Sequence, residues 1–205
     1  MRYLVCIFWF LACYATASAS DCFEEGEREA MLALDARTFD QSRDNGWRLV
    51  AERECYSEAA ALIDEYRAQA TEQEVKDGLR HHQMQMYAAA ELRPQAVGLL
   101  DEIIVVLQAE GPLSELAYKQ ATRAFLLNDR AELEAARNDL ASLPMPESFA
   151  AAIADFSEKY PDFPAPKWPV NLDVVDGFIN CFGKPYSEAY AADCRPLETY
   201  TVLEE

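Results

Sequence analysis

Apolar residues along this chain recur at helical steps, and the pattern returns every 37 positions. Ala59, Ala96 and Leu133 hold one register, Ile63, Leu100 and Arg137 a second, and Tyr66, Ile103 and Leu140 a third. Upstream, Val50, Tyr87 and Ala124 are equivalent, as are Ala51, Ala88 and Phe125. Steps of three and four put such residues on one face of an α-helix. A period of this size marks a supersecondary unit that buries its apolar face only by stacking on a neighbour. The pattern predicts three antiparallel helical pairs, at about 43–70, 79–108 and 114–143.

Punctuation supports these bounds. Asp44, Asn45 and Gly46 break the chain and offer a cap to the helix carrying Trp47, Val50 and Ala51. Thr71 to Asp77 is polar and is expected to be a linker. Gly111-Pro112 ends the second pair, and Pro144 and Pro146 the third. Before the pairs, residues 22–35 carry Phe23, Ala30, Met31 and Leu34 at helical steps. After them, a helix is expected with Phe149, Ile153, Phe156 and Tyr160 on one side. Residues 161–169 are proline-rich, an extended segment pinned by Phe163 and Trp168. Asn171 can cap a further helix, and Gly183-Lys184-Pro185 turns into a last short one. No stretch alternates with period two, so the predicted fold class is all-α. It is an α-solenoid of stacked antiparallel hairpins with a C-terminal helical cap over 147–205.

The first 19 residues have the form of a signal peptide. Arg2 is followed by an apolar stretch from Leu4 to Ala12 and by small residues at Ala17-Ser18-Ala19. Cleavage after Ala19 is favoured over cleavage after Ala17, and a rival reading is lipoprotein processing at Cys13. The remaining 20–205 form one domain, exported to a periplasm or secreted. Removing Arg2 takes the net charge from −18 to −19. Such a charge argues against nucleic acid and anionic membrane as partners, and no later segment predicts stable membrane insertion.

Four cysteines survive export, and an even number in an oxidising compartment predicts two disulfides. If residues 22–35 and 43–55 are antiparallel helices, Cys22 and Cys55 meet at neighbouring ends, leaving Cys181 with Cys194. The loop-entropy relation gives about 4 and about 3 kcal/mol for the two bridges.

Tyr56-Ser57-Glu58-Ala59 followed by Ile63, behind a helix with Trp47 and Ala51, resembles a tetratricopeptide-repeat unit. Tyr87, Ala96 and Leu100 resemble the matching positions of a second. The resemblance covers roughly residues 43–143. It departs from the family in period, 37 against 34, and in its first-helix glycine, whose place Trp47, Met84 and Ala121 occupy. The resemblance implies a concave face that binds peptides or proteins, lined by the first helix of each pair. Arg48, Gln85, Lys119 and Arg123, with Glu52 and Glu91, are expected to be exposed there. Cations on that face would suit an acidic peptide or a carboxylate terminus.

Candidate chemistry is sparse. His81, His82 and Met86 offer imidazole and thioether donors suited to copper, with the histidines expected at an exposed helix start. Asp101 with Glu102, Glu132 with Glu134, and Asp173 with Asp176 are carboxylate pairs without a feature that would split their pKa values. No GxSxG, free Cys-His pair or glycine-rich phosphate loop occurs. The sequence predicts a non-catalytic exported scaffold that binds a protein or peptide and needs no cofactor. One alternative is a small metal or ligand carrier using His81, His82 and Met86, and another is a hydrolase whose site is not recognisable.

Overall fold

The computed structural model describes residues 22–196 and, among these, contains eleven α-helices, one short 3-10 helix and no strand. The predicted signal peptide and Cys13 lie outside the described residues. No described helix is long and apolar enough to cross a membrane.

Helices α3 (Gly46–Glu52) and α4 (Tyr56–Gln69), α5 (Gln73–Ala89) and α6 (Arg93–Glu110), and α7 (Leu113–Leu126) and α8 (Arg130–Ala141) form three hairpins. Within the run from α3 to α8, each helix packs on the next. All three hairpins turn in the same way. Glu54, Glu91 and Asn128, 37 residues apart, adopt the left-handed conformation at φ 61°, 57° and 57°. The following N–H then returns to the last turn of the preceding helix. Cys55 donates to the Val50 carbonyl at 3.3 Å, Leu92 to Tyr87 at 2.9 Å and Asp129 to Ala124 at 2.9 Å. This bond satisfies a carbonyl that the helix end would leave unpaired. The next helix starts one residue later in every case.

Registers from the sequence pattern fall in the core. Ala59, Ala96 and Leu133 are buried, as are Trp47, Met84 and Ala121. Arg137 instead leaves the stripe and pairs with Asp176 at 2.8 Å. The expected linker is helical, because α5 begins at Gln73. Its first turn is polar and half in solvent, with only Val75 packing inward, so it carries no apolar stripe to detect.

The N-terminal region also differs from expectation. Residues 22–35 hold only α1 (Glu27–Leu32), followed by α2 (Ala36–Gln41). The first helix ends at Leu32, and Asp35 caps the second, accepting from the Thr38 N–H at 3.0 Å. Phe39 stacks on Tyr66 at 3.8 Å, and the Tyr66 hydroxyl donates to the Leu34 carbonyl at 2.8 Å. Gly46 allows the close approach of α2 and α3. It has φ +62°, and a Cβ there would stand 2.2 Å from the Phe39 carbonyl oxygen.

Both predicted disulfides are present. Cys22–Cys55 ties the start of the described chain to the first hairpin, reinforced by Arg53, which donates to Glu27 and to the Cys22 carbonyl. Cys181–Cys194 closes the C-terminal segment. There α10 (Leu172–Asn180) lies on α7 and α8, and α11 (Tyr186–Tyr190) reaches α5. Phe178 and Tyr186 are buried with Phe125, so the C-terminal aromatics largely complete the core. Helix α9 (Glu147–Lys159) buries no residue. Of the expected pins in the proline-rich segment, Trp168 holds by donating to the Leu143 carbonyl at 2.9 Å, while Phe163 is exposed.

Candidate functional site

Helix α5 joins two apolar clusters. Leu79 belongs to the first, Met84 and Ala88 to the second. The residues between them, Arg80 to Gln83, are polar, and all but Gln83 line a cleft of about 740 Å³. Its apolar wall is Ile103, Val106 and Leu107 of α6, and its far side is Glu115 and Lys119 of α7. Glu74 and Asp77 stand at the rim. A recess of about 290 Å³ shares His81, Glu115 and Lys119 and continues to Val170 and Asn171 of the C-terminal segment.

Lys119 is only 3% exposed. Its ammonium lies 2.7 Å from His81 Nδ1, and since an ammonium cannot accept, Nδ1 must accept and the imidazole proton sits on Nε2. Glu115 is 3.8 Å from Lys119 Nζ, beyond hydrogen-bonding distance. Burial, only partly offset by Glu115, brings the Lys119 pKa down from 10.5 to about 8. Burial, then the positive Lys119, pushes His81 from 6.5 to about 3, so this imidazole is neutral at any ordinary pH. Arg80 has only long ionic contacts, 3.6 Å to Asp77 and 3.8 Å to Glu102, and its buried Nε has no hydrogen-bond partner.

His82 turns the other way. Its Nδ1 lies 2.8 Å from Asp40 of α2, angled off an ideal hydrogen bond, and its ring rests 4.9 Å from Trp47. Burial would raise the Asp40 pKa, but His82, then the Trp47 and Gln41 donors, overcome it and hold the carboxyl at about 2.

The two histidines are therefore neither exposed nor at a helix start, since α5 begins eight residues before His81. His81 and His82 face different partners, and Met86 packs against the first apolar cluster. The three do not share a vacant set of donors. Among the described residues, the one group of three close His, Cys, Asp or Glu ligand atoms is Cys22, Cys55 and Glu58, whose sulfurs are already bonded to each other.

The residues expected on one concave face are dispersed. Lys119 is buried in the cleft rather than exposed. Arg123 pairs with Asp101 of α6 at 2.6 Å. Arg48 lies over the Trp47 ring and donates to the Asp40 carbonyl. Gln85 sits beside the buried Tyr186 hydroxyl, and Glu91 accepts from the Tyr186 N–H at 3.1 Å, so α11 covers this half of α5. All three carboxylate pairs are drawn into ion pairs, Asp101 with Arg123, Glu134 with Arg130 at 2.8 Å, Asp173 with Arg195 at 3.1 Å and Asp176 with Arg137.

Sequence reasoning missed Asp40, Arg80 and Glu115, and it missed the apolar wall. One signal for the wall existed. Ile103 to Leu107 are five consecutive apolar residues, and a helix turning about 100° per residue cannot bury all five on one face. Ile104 is buried, while Val105 and Val106 are 66% and 58% exposed.

Compared with known proteins, the chain matches no family model, no curated protein and no solved structure.

Proposed function

We propose that this protein is an exported, non-catalytic helical-repeat scaffold, tetratricopeptide-like in plan, that binds a polypeptide in the cleft between α5 and α7. The observation that carries the reading is the cleft itself. It sets an exposed apolar wall at Val106 opposite a buried, poorly neutralised cation at Lys119. Sites for small groups combine these elements, an apolar lining with few polar anchors, in volumes of about 300–1,000 Å³. The equal turns at Glu54, Glu91 and Asn128 support a repeated construction, and the two disulfides fit an oxidising compartment.

A photoreactive residue placed at Val106, with a control at the comparably exposed Leu127, tests the reading in the exported protein. A polypeptide adduct formed from position 106 and not from 127 is expected. Equal labelling at both positions, or labelling from 127 alone, would overturn the assignment of the cleft.

A further inference from the structure

Among the described residues, Lys119 is the lysine that the fold turns inward. Lys159, Lys167 and Lys184 are exposed and Lys76 is half-buried, whereas Lys119 is buried and lines both the cleft and the recess beside it. Its surroundings support a neutral amine better than an ammonium. An ammonium has three donors to satisfy, and the acceptor within hydrogen-bonding distance is His81 Nδ1 at 2.7 Å. The Glu115 carboxylate stands off at 3.8 Å. A neutral amine makes the same bond to His81 with one N–H and keeps its lone pair unused. The depressed Lys119 pKa agrees with this, so that a fraction of the molecules carry the free amine near neutral pH. A desolvated amine beside an apolar wall is the arrangement that makes lysine a nucleophile towards carbonyl carbon. Here the wall is Ile103, Val106 and Leu107, and the exposed acids Glu74, Asp77 and Glu115 around it disfavour an anionic ligand. What fits is a carbonyl compound without charge and with an alkyl tail.

We propose that the cleft captures aliphatic aldehydes, Lys119 forming a Schiff base with the carbonyl carbon while the alkyl chain lies against Ile103, Val106 and Leu107. The ammonium first releases a proton to solvent. The amine lone pair then forms the C–N bond as the carbonyl π pair moves to oxygen, and a proton passes from nitrogen to that oxygen to give a carbinolamine. Loss of the hydroxyl together with the remaining N–H proton releases water and leaves the C=N bond. One amine and one aldehyde thus give one imine and one water, with nothing oxidised or reduced. The capture is stoichiometric, and it goes beyond the reading of the protein as a non-catalytic polypeptide binder without resting on it.

Reductive trapping tests this in the disulfide-intact wild-type protein. The protein is incubated at pH 7 with limiting octanal, or with limiting propanal, and sodium cyanoborohydride. The hydride fixes each imine as a secondary amine, and peptide mapping by mass spectrometry reads the rate at every lysine. With octanal, Lys119 is expected to be alkylated at least about ten-fold faster than the exposed Lys159, Lys167 and Lys184. Octanal is expected to exceed propanal at Lys119 by about ten-fold or more, because its additional methylenes reach the apolar wall, and to show no such preference at the exposed lysines. Val106→Ser, at an exposed position, is expected to slow octanal at Lys119 and leave propanal unchanged. Labelling of Lys119 no faster than that of the exposed lysines overturns the capture. Equal rates for the two aldehydes at Lys119, or an unaltered octanal rate in Val106→Ser, overturn the aliphatic class and the role of the wall. Any of these results, with the polypeptide adduct from position 106 still formed, leaves polypeptide binding standing; loss of that adduct alone leaves aldehyde capture standing.

Discussion

Replacing Lys119 by methionine is expected to stabilise the protein at neutral pH, although it removes a side chain from the core. Methionine has nearly the same length and no charge to desolvate. Burial lowers the Lys119 pKa from 10.5 to about 8, which corresponds to about 3 kcal/mol borne by the charged form. Substitution leaves His81 Nδ1 without its donor, a loss of about 1 kcal/mol. The expected net gain at pH 7 is therefore about 2 kcal/mol. Its pH dependence has a defined sign. Between pH 8 and 10.5 the unfolded chain holds a proton on this lysine that the folded protein has released. Unfolding takes up that proton, so the wild type gains stability as pH rises through the window, and this contribution is lost as pH falls through 8. The substituted thioether cannot titrate. The advantage of the variant should thus shrink by about 2 kcal/mol between pH 7 and 9.5. Tyr118 and Tyr186 titrate above this range, because burial raises both. Urea unfolding followed by far-UV circular dichroism at the two pH values reads the effect. A variant less stable than wild type at pH 7, or a gap independent of pH, would refute the reasoning.

Three further outcomes are expected. His81 has its pKa pushed by burial, Lys119 and His82 from 6.5 to about 3, so the unfolded state takes up its proton first and stability falls as pH drops from 6.5 towards 3. Asp40, held at about 2, adds to the loss below 3.8, and His81→Gln should flatten the higher part of this limb in acid titrations followed by circular dichroism. Gly46→Ala should destabilise by about 2–4 kcal/mol in urea, because a Cβ at φ +62° would strike the Phe39 carbonyl; a change below ~0.5 kcal/mol would contradict the close approach of α2 and α3. Replacing Cys22 and Cys55 together by Ala should lower stability by about 3–4 kcal/mol from a bridge spanning 33 residues, measured against the wild type under non-reducing conditions.

The hairpins were legible because their burial is periodic. Ala59 and Ala96 mark close helix contacts, and the left-handed turns at Glu54, Glu91 and Asn128 fall at the same interval. The Cys22–Cys55 bridge followed from chain direction, and Cys181–Cys194 by elimination. The start of α5 was not legible, since Gln73 to Asp77 is a polar, solvated turn with no stripe. Asp35 starts a second helix through local hydrogen bonds from Thr38 that hydrophobic spacing does not register. Lys119 was placed on a surface by its equivalence with earlier repeats. Helix α7, however, is enclosed by α6, α8 and α10, and the sequence Ala117, Tyr118, Lys119, Ala121, Thr122 is buried on nearly all sides. The cap breaks the equivalence of the repeats, and positional alignment within one chain carries no trace of that. The same enclosure creates the candidate site, by forcing a cation inward beside His81.

The central claim, that the α5–α7 cleft is where a polypeptide binds, is tested most directly by hydrogen exchange. The disulfide-intact protein would be measured alone and saturated with a polypeptide selected for binding from a library of displayed peptides. The account predicts added protection concentrated in residues 74–82 and 113–119, with α9 and the proline-rich segment unchanged. Protection confined to residues 147–170, or spread evenly over all helices, would contradict it.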